Sequence, residues 1–224
     1  MVPCHLRYRR SVSLALAVGV LATTGCARPS ESESPRLANT PQVLPTVDTP
    51  ALAASAELVD DLTYKQWQSF PKGTTIVRRT TTRSGKVSRQ TVSHTTLKLL
   101  DKTDDVIVIE EQTHTLRSTG ETVQNEPMTF RYSRKIPLPP NIRKEDWGKP
   151  QGIQQEGEEE LEVLGKTYRC RFYKYTSSTE AGEMQTTIWI SPEIPGGLAR
   201  SHSYVPNADE TTTIEITHIT IPKQ

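Results

Sequence analysis

Apolar and polar positions change period once along this chain. Leu52, Ala56, Val59 and Leu62 recur at spacings of three and four, which places them on one helical face, and Trp67 and Phe70 extend the stripe. Thr49 followed by Pro50 fits a helix N-cap and first helical position, and Pro71-Lys72-Gly73 fits a stop. One helix is predicted over about 51–69. Beyond Gly73 the period falls to 2, and Thr, Val and Ile, which favour extended backbone, dominate. Strands are expected at 74–82, 87–100, 105–117, 127–135, 158–164, 167–176, 184–191, 198–205 and 211–221.

Turn signals separate most of these strands, among them Ser84-Gly85, Gly165-Lys166, Ala181-Gly182 and Gly196-Gly197. Short connections imply antiparallel neighbours. The link from Pro137 to about Gln155 is long and rich in proline and charge, so it divides the strands into two halves. Alternation assigns faces: Tyr168, Cys170 and Phe172 share one side of their strand, opposite Arg169, Arg171, Tyr173 and Tyr175. The fold expected is mainly β (α+β): a curved antiparallel meander of about eight to nine strands, a half-barrel, with one N-terminal helix packed on its concave face.

The N-terminus changes the picture by giving an address. Arg7, Arg9 and Arg10 precede an apolar run from Ser11 to Ala22, too short to span about 30 Å of hydrocarbon. Arg9-Arg10 lacks the large apolar continuation of a twin-arginine signal. Leu21-Ala22-Thr23-Thr24-Gly25-Cys26 resembles a bacterial lipobox, with Thr23 in place of the usual leucine. That resemblance implies removal of residues 1–25 as a signal peptide and lipid attachment at Cys26. From 26 to about 50, Pro29, Pro35, Pro41, Pro45 and Pro50 stand among Ser, Thr and Glu with few large apolar residues, a composition that reads as a disordered tether. Its typical reach is roughly 25–30 Å. Residues 51–224 are then one helix-plus-sheet domain.

A second resemblance rests on Leu164-Gly165-Lys166-Thr167-Tyr168-Arg169-Cys170, a hairpin, and on Thr187-Ile188-Trp189-Ile190-Ser191-Pro192-Glu193-Ile194-Pro195-Gly196-Gly197, a tryptophan strand and proline turn. With the order of elements, these make the chain similar to the LolA/LolB and LppX group of envelope lipoproteins and carriers. The resemblance implies a half-open sheet around a helix, with an apolar space for acyl chains. It assigns no functional residue.

Charge and cysteine content exclude more than they assign. Losing the three signal arginines turns a formal +1 into about −2, which with export argues against a nucleic-acid partner. Cys170 is the lone thiol of the mature body, so no internal disulfide supports the fold. Between Leu62 and Leu100 there are eight Lys and Arg and no acid, whereas 101–126 is acidic. Either the basic stretch faces an anionic surface, or the two stretches pair across the sheet, the favoured reading. The run Glu156, Glu158, Glu159, Glu160 and Glu162 reads as a solvated edge guarding against sheet-to-sheet association.

Catalytic patterns fail on context. Ser69-Phe70-Pro71-Lys72 has the spacing of penicillin-binding enzymes, but its serine closes a helix instead of opening one. Gly165-Lys166-Thr167 lacks the glycine five residues earlier that a phosphate loop needs; Glu160 stands there. His94 and His114 could face each other on paired strands, with no third ligand in the spacing to complete a metal site. His202 sits between Ser201 and Ser203, which a strand points to the opposite face.

The expectation is a lipoprotein of the cell envelope, held to the membrane by Cys26 and facing the periplasm or exterior. It would act as a binding or interaction module without cofactor, not as an enzyme, with lipid or another envelope protein as partner. The alternative is a carrier or sensor of an acyl chain or other apolar ligand, held between helix and sheet by Trp67, Phe70, Tyr168, Phe172 and Trp189.

Overall fold

The computed structural model describes residues 57–86, 89–117 and 119–223. Cys26, the signal, the tether and the Thr49-Pro50 helix start lie outside the described residues.

The chain enters through a short strand β1 (Leu58–Asp60) and a six-residue helix α1 (Leu62–Trp67). It continues through β2 (Thr75–Ser84), β3 (Arg89–Lys102), β4 (Val106–Leu116), β5 (Thr122–Gln124), β6 (Met128–Ser133) and β7 (Lys135–Pro137). After a link come β8 (Ile153–Val163), β9 (Lys166–Thr179), β10 (Gly182–Ile190), β11 (Leu198–Val205) and β12 (Glu210–Thr220). The fold is mainly β: a curved, unclosed antiparallel sheet of ten strands with very little helix. From one edge the order is β5, β4, β3, β2, β12, β11, β10, β9, β8, with β6 also paired to β4. β5 and β6 occupy one edge position, interrupted at Pro127, so nine positions stand side by side.

The topology is two meanders joined at their inner strands. β2 to β6 wind outward to one edge, the link carries the chain away, and β8 to β12 wind back until β12 pairs with β2. Register shifts at Leu99/Asp101, Trp189/Ile190, Ile216/His218 and Ile153/Gln155 introduce bulges. Bulges bend a strand and increase its twist, which suits a curved sheet. The β8–β9 hairpin turns on Leu164 (φ 54°) and Gly165 (φ 76°), both left-handed, as a two-residue turn matched to strand twist requires.

Two expectations are corrected. The helix predicted over 51–69 is only Leu62–Trp67 among the described residues. Val59 belongs to β1, opposite Ile136 of β7, and Phe70 follows the helix. The stripe at helical spacing combined residues that three different local structures bury. Asp61 is the cap, its carboxylate accepting from Tyr64 N–H at 2.9 Å. The expected link to Gln155 also ends early, because β8 begins at Ile153. After Ile153 its next residues are Gln, Gln, Glu and Gly on a sheet edge, where little burial imposes alternation.

Tyr64, Trp67 and Phe70 pack against Ile76, Leu99, Ile107, Ile109 and Ile216 from β2, β3, β4 and β12. Tyr64 Oη donates to the carbonyls of Thr103 and Asp104, at 3.1 and 2.6 Å. The β8–β9 hairpin runs on past the last β10 partner, Arg171, and its Val163, Tyr168 and Cys170 join the same core.

Candidate functional site

Residues opposite each other across a ladder project to the same side, so the registers define rows that cross the sheet. On the side that carries Ile76, Ile219, Ile76, Leu97 and Glu111 form one row, and Leu99, Ile109 and Phe130 the next. In the other direction the chemistry changes. The adjoining row reads Ile216, Arg78, Thr95, Thr113. Beyond it come Ile188, Ser201, Ile214, Thr80, Ser93, Thr115, then Thr186, Ser203, Thr212, Thr82, Thr91. One face is thus apolar where α1 packs and hydroxyl-bearing past Arg78. Hydroxyls bond across strands within rows: Thr95 to Thr113 at 2.9 Å, Thr82 to Thr212 at 3.1 Å and Thr186 to Ser203 at 3.0 Å.

Arg78 marks the border. Its Nη2 donates to Gly196 O at 3.1 Å, while its Nε is buried without a hydrogen-bond partner. Among the described residues it has no carboxylate within ion-pair distance. Burial lowers its pKa to about 10, with Glu111 opposing that shift, and the guanidinium stays charged at neutral pH. The Ser191–Gly197 turn reaches α1 through Gly196 N–H, which donates to Gln66 O at 3.4 Å. Gly196 and Gly197 have φ of 71° and 73°. A side chain at Gly196 would stand 2.8 Å from Arg78 Nη2 and 3.1 Å from Trp67 Nε1; one at Gly197 would stand 2.7 Å from Gln66 Nε2. The glycine pair lets three nitrogen-bearing side chains approach one stretch of backbone.

The five aromatics expected to line a ligand space do not act as one group. Trp67, Phe70 and Tyr168 are buried in the core cluster and Trp189 packs against it, its indole N–H donating to Glu159. Phe172 stands apart, half-buried, with its ring where a side chain at Gly157 would be. Two clefts, of about 350 and 160 Å³, are lined elsewhere: one by 141–143, Asp146 and 149–153, the other by 162–164, 199–200 and 215–216.

On the opposite face His94 lies directly opposite His114, in the row Arg200, Glu215, Arg79, His94, His114. Among the described residues no three His, Cys, Asp or Glu side chains gather as a metal site. His202 is exposed while Ser201 and Ser203 are buried on the other side. The basic and acidic stretches fall on neighbouring strands, with Lys98 opposite Glu110, and Arg79 meets Glu215 of β12 at 2.8 Å. Glu156, Glu158, Glu159, Glu160 and Glu162 are exposed along the β8 edge.

The Arg78 cluster was outside the reach of the residue pattern. Arg78 stood as one of eight bases and Gly196-Gly197 as a turn; no local periodicity links them to Gln66. The unusual signal was a glycine pair after a Pro-rich turn, consistent with close backbone approach.

No family model matches the chain, and no curated protein matches it. Among solved structures it is similar to a protein of Bacteroides fragilis described as exported and YmcC-like in fold, 11% identical, with a TM-score of 0.40 over 67% of this chain and 97% of that one. A protein of Parabacteroides distasonis described as a lipoprotein is 14% identical, with a TM-score of 0.39 over 67% and 97%. A DUF1329 family protein of Desulfovibrio piger is 10% identical, with a TM-score of 0.22 over 72% and 90%. Likenesses at these scores assign neither family nor activity.

Proposed function

We propose that the protein is an exported lipoprotein of the bacterial envelope, anchored through Cys26, whose sheet binds another envelope component. The address rests on the basic start, short apolar run and lipobox-like Thr24-Gly25-Cys26. The observation that carries the binding role is the hydroxyl-rich face bordered by Arg78, a guanidinium without a carboxylate partner on a sheet whose apolar half is already packed. The role is recognition without cofactor or chemistry. The acyl-carrier alternative has less support, because Trp67, Phe70 and Tyr168 fill the core and line neither of the two clefts, the smaller of which is bordered by Val163, Ala199 and Ile216 of that same core.

Expression of the full chain in bacteria with labelled fatty acid tests the address. The wild type should carry label and fractionate with membranes, and Cys26→Ser should do neither; label retained on that variant overturns the anchor. Native mass spectrometry of the same chain tests the binding mode. A co-purifying acyl lipid retained in the folded domain would restore the carrier reading.

A further inference from the structure

We propose that His94 and His114 form a two-imidazole chelate for a divalent transition-metal ion, taking Cu2+ ahead of Ni2+ and Zn2+. The site lies on the sheet face opposite α1 and does not depend on the binding role above.

Backbone pairing brings the two rings together. His94 on β3 lies directly opposite His114 on β4, in a run of pairs from Val92–Leu116 to Leu99–Ile109 that no register shift interrupts. Side chains opposite each other on antiparallel strands start from Cβ atoms about 4.5–5.5 Å apart. Two imidazole nitrogens bound to one ion at about 2.0–2.1 Å stand about 3 Å apart, a gap that rings on such Cβ atoms close by side-chain rotation. Thr95 and Thr113, the next pair along, bond hydroxyl to hydroxyl at 2.9 Å on the other face and support the register. Ligands carried on paired strands are held more precisely than ligands on loops.

Both rings are available. His94 is exposed and His114 half-buried, and among the described residues neither imidazole has a hydrogen-bond or ion-pair partner. The nearest positions on this face carry no uncompensated positive charge. Arg79, beside His94 in the row, is ion-paired to Glu215 at 2.8 Å, and Gln124, beside His114, is neutral. The flanking pairs, Val92 with Leu116 and Thr96 with Gln112, are uncharged.

Imidazole nitrogen suits Cu2+, Ni2+ and Zn2+, with affinity greatest for Cu2+, whereas Ca2+ and Mg2+ prefer oxygen ligands. Structural and catalytic zinc sites use three or four protein ligands. A pair leaves the other positions to water or to donors from outside the chain, so the ion clips β3 to β4 and stays exchangeable.

The test uses the full chain carrying Cys4→Ser and Cys26→Ser, so that neither thiol competes for metal. Calorimetric titration with Cu2+, Ni2+, Zn2+ and Mg2+ is paired with electron paramagnetic resonance of the Cu2+ complex. One tight Cu2+ site per chain is expected, with two imidazole nitrogens in its spectrum, weaker binding of Ni2+ and Zn2+, and none of Mg2+. His94→Ala and His114→Ala should each weaken Cu2+ at least tenfold and remove one imidazole nitrogen from the spectrum. His202→Ala and His218→Ala, which change exposed histidines on the same face, should leave both readouts unchanged. Cu2+ should raise the Tm of the parent, because an ion held by the paired strands favours the folded chain, and should not move that of His94→Ala. A metal-free Tm equal to the parent's in His94→Ala assigns the lost binding to the ligand, not to the fold. No tight Cu2+ site, or the same affinity and spectrum after both His94→Ala and His114→Ala, overturns the chelate. Fatty-acid labelling at Cys26 is read separately on the wild type, so the envelope role stands or falls on its own.

Discussion

Arg78 Nη2 donates to the carbonyl of Gly196 at 3.1 Å, joining residues 118 positions apart. The bond ties β2, an inner strand of the first meander, to the turn between two strands of the second. It lies beside the β2–β12 seam at which the halves of the sheet meet.

Gly196→Ala tests that junction directly. Its φ of 71° is left-handed, and the new methyl would press on Arg78 Nη2 and Trp67 Nε1. A backbone held in that region by a non-glycine residue costs of order 1–3 kcal/mol. Thermal unfolding should show Tm lower by roughly 2–4 °C for each kcal/mol lost in a domain of this size. An unchanged Tm would mean that the turn is free to move away from α1.

Trp67→Ala and Phe172→Ala separate core from periphery. Trp67 is 1% exposed within the main cluster, and its truncation should cost about 3–5 kcal/mol. Phe172 lies outside that cluster, and its loss should cost clearly less. Urea denaturation of both variants is the measurement. Equal and small losses would show that Trp67 borders an adaptable space instead of a packed core.

Asp61 gives the fold a pH dependence. Burial pushes its carboxyl up, more than the backbone N–H groups of Tyr64 and Thr63 pull it down. A folded pKa above the unfolded one means that folding retains the proton. The resulting stabilisation is present at low pH and is lost as pH rises from the ordinary carboxylate range through the raised folded value. Asp61→Asn keeps a capping oxygen and should flatten that part of the stability-versus-pH curve. Asp61→Ala should lower stability at neutral pH by roughly 1 kcal/mol through loss of the cap. Denaturant melts between pH 3 and 7 decide both.

The glutamates of β8 should keep the chain from associating. Glu158 and Glu160 flank an otherwise available edge, and like charges facing across two such edges oppose pairing. Glu158→Val with Glu160→Val should give concentration-dependent oligomers in sedimentation velocity, with the monomer's fold kept. A variant that stays monomeric would assign protection of the edge to another feature.

Local alternation made most strands legible. Tyr168, Cys170 and Phe172 do share a side of β9, and His94 and His114 do meet across β3 and β4, because strand direction and short turns leave few other registers. Helical spacing overstates the helix because Val59, Tyr64, Trp67 and Phe70 are all buried, although β1, α1 and the following turn bury them by different means. β1 and β7 could not be read from three residues each; each strand exists by pairing with the other, 77 positions away between Val59 and Ile136.

The sequence by itself determined the period-2 architecture, the hairpin turns, the acidic edge and the lipobox-like start, since each is written in residues a few positions apart. Tertiary structure alone decided that β12 pairs with β2, that the sheet face changes from apolar to hydroxyl at Arg78, and that Gln66, Trp67 and Arg78 meet over Gly196-Gly197. These depend on contacts between segments more than 100 residues apart. Such contacts are chosen by whole-sheet packing and backbone hydrogen bonding, not by any local preference.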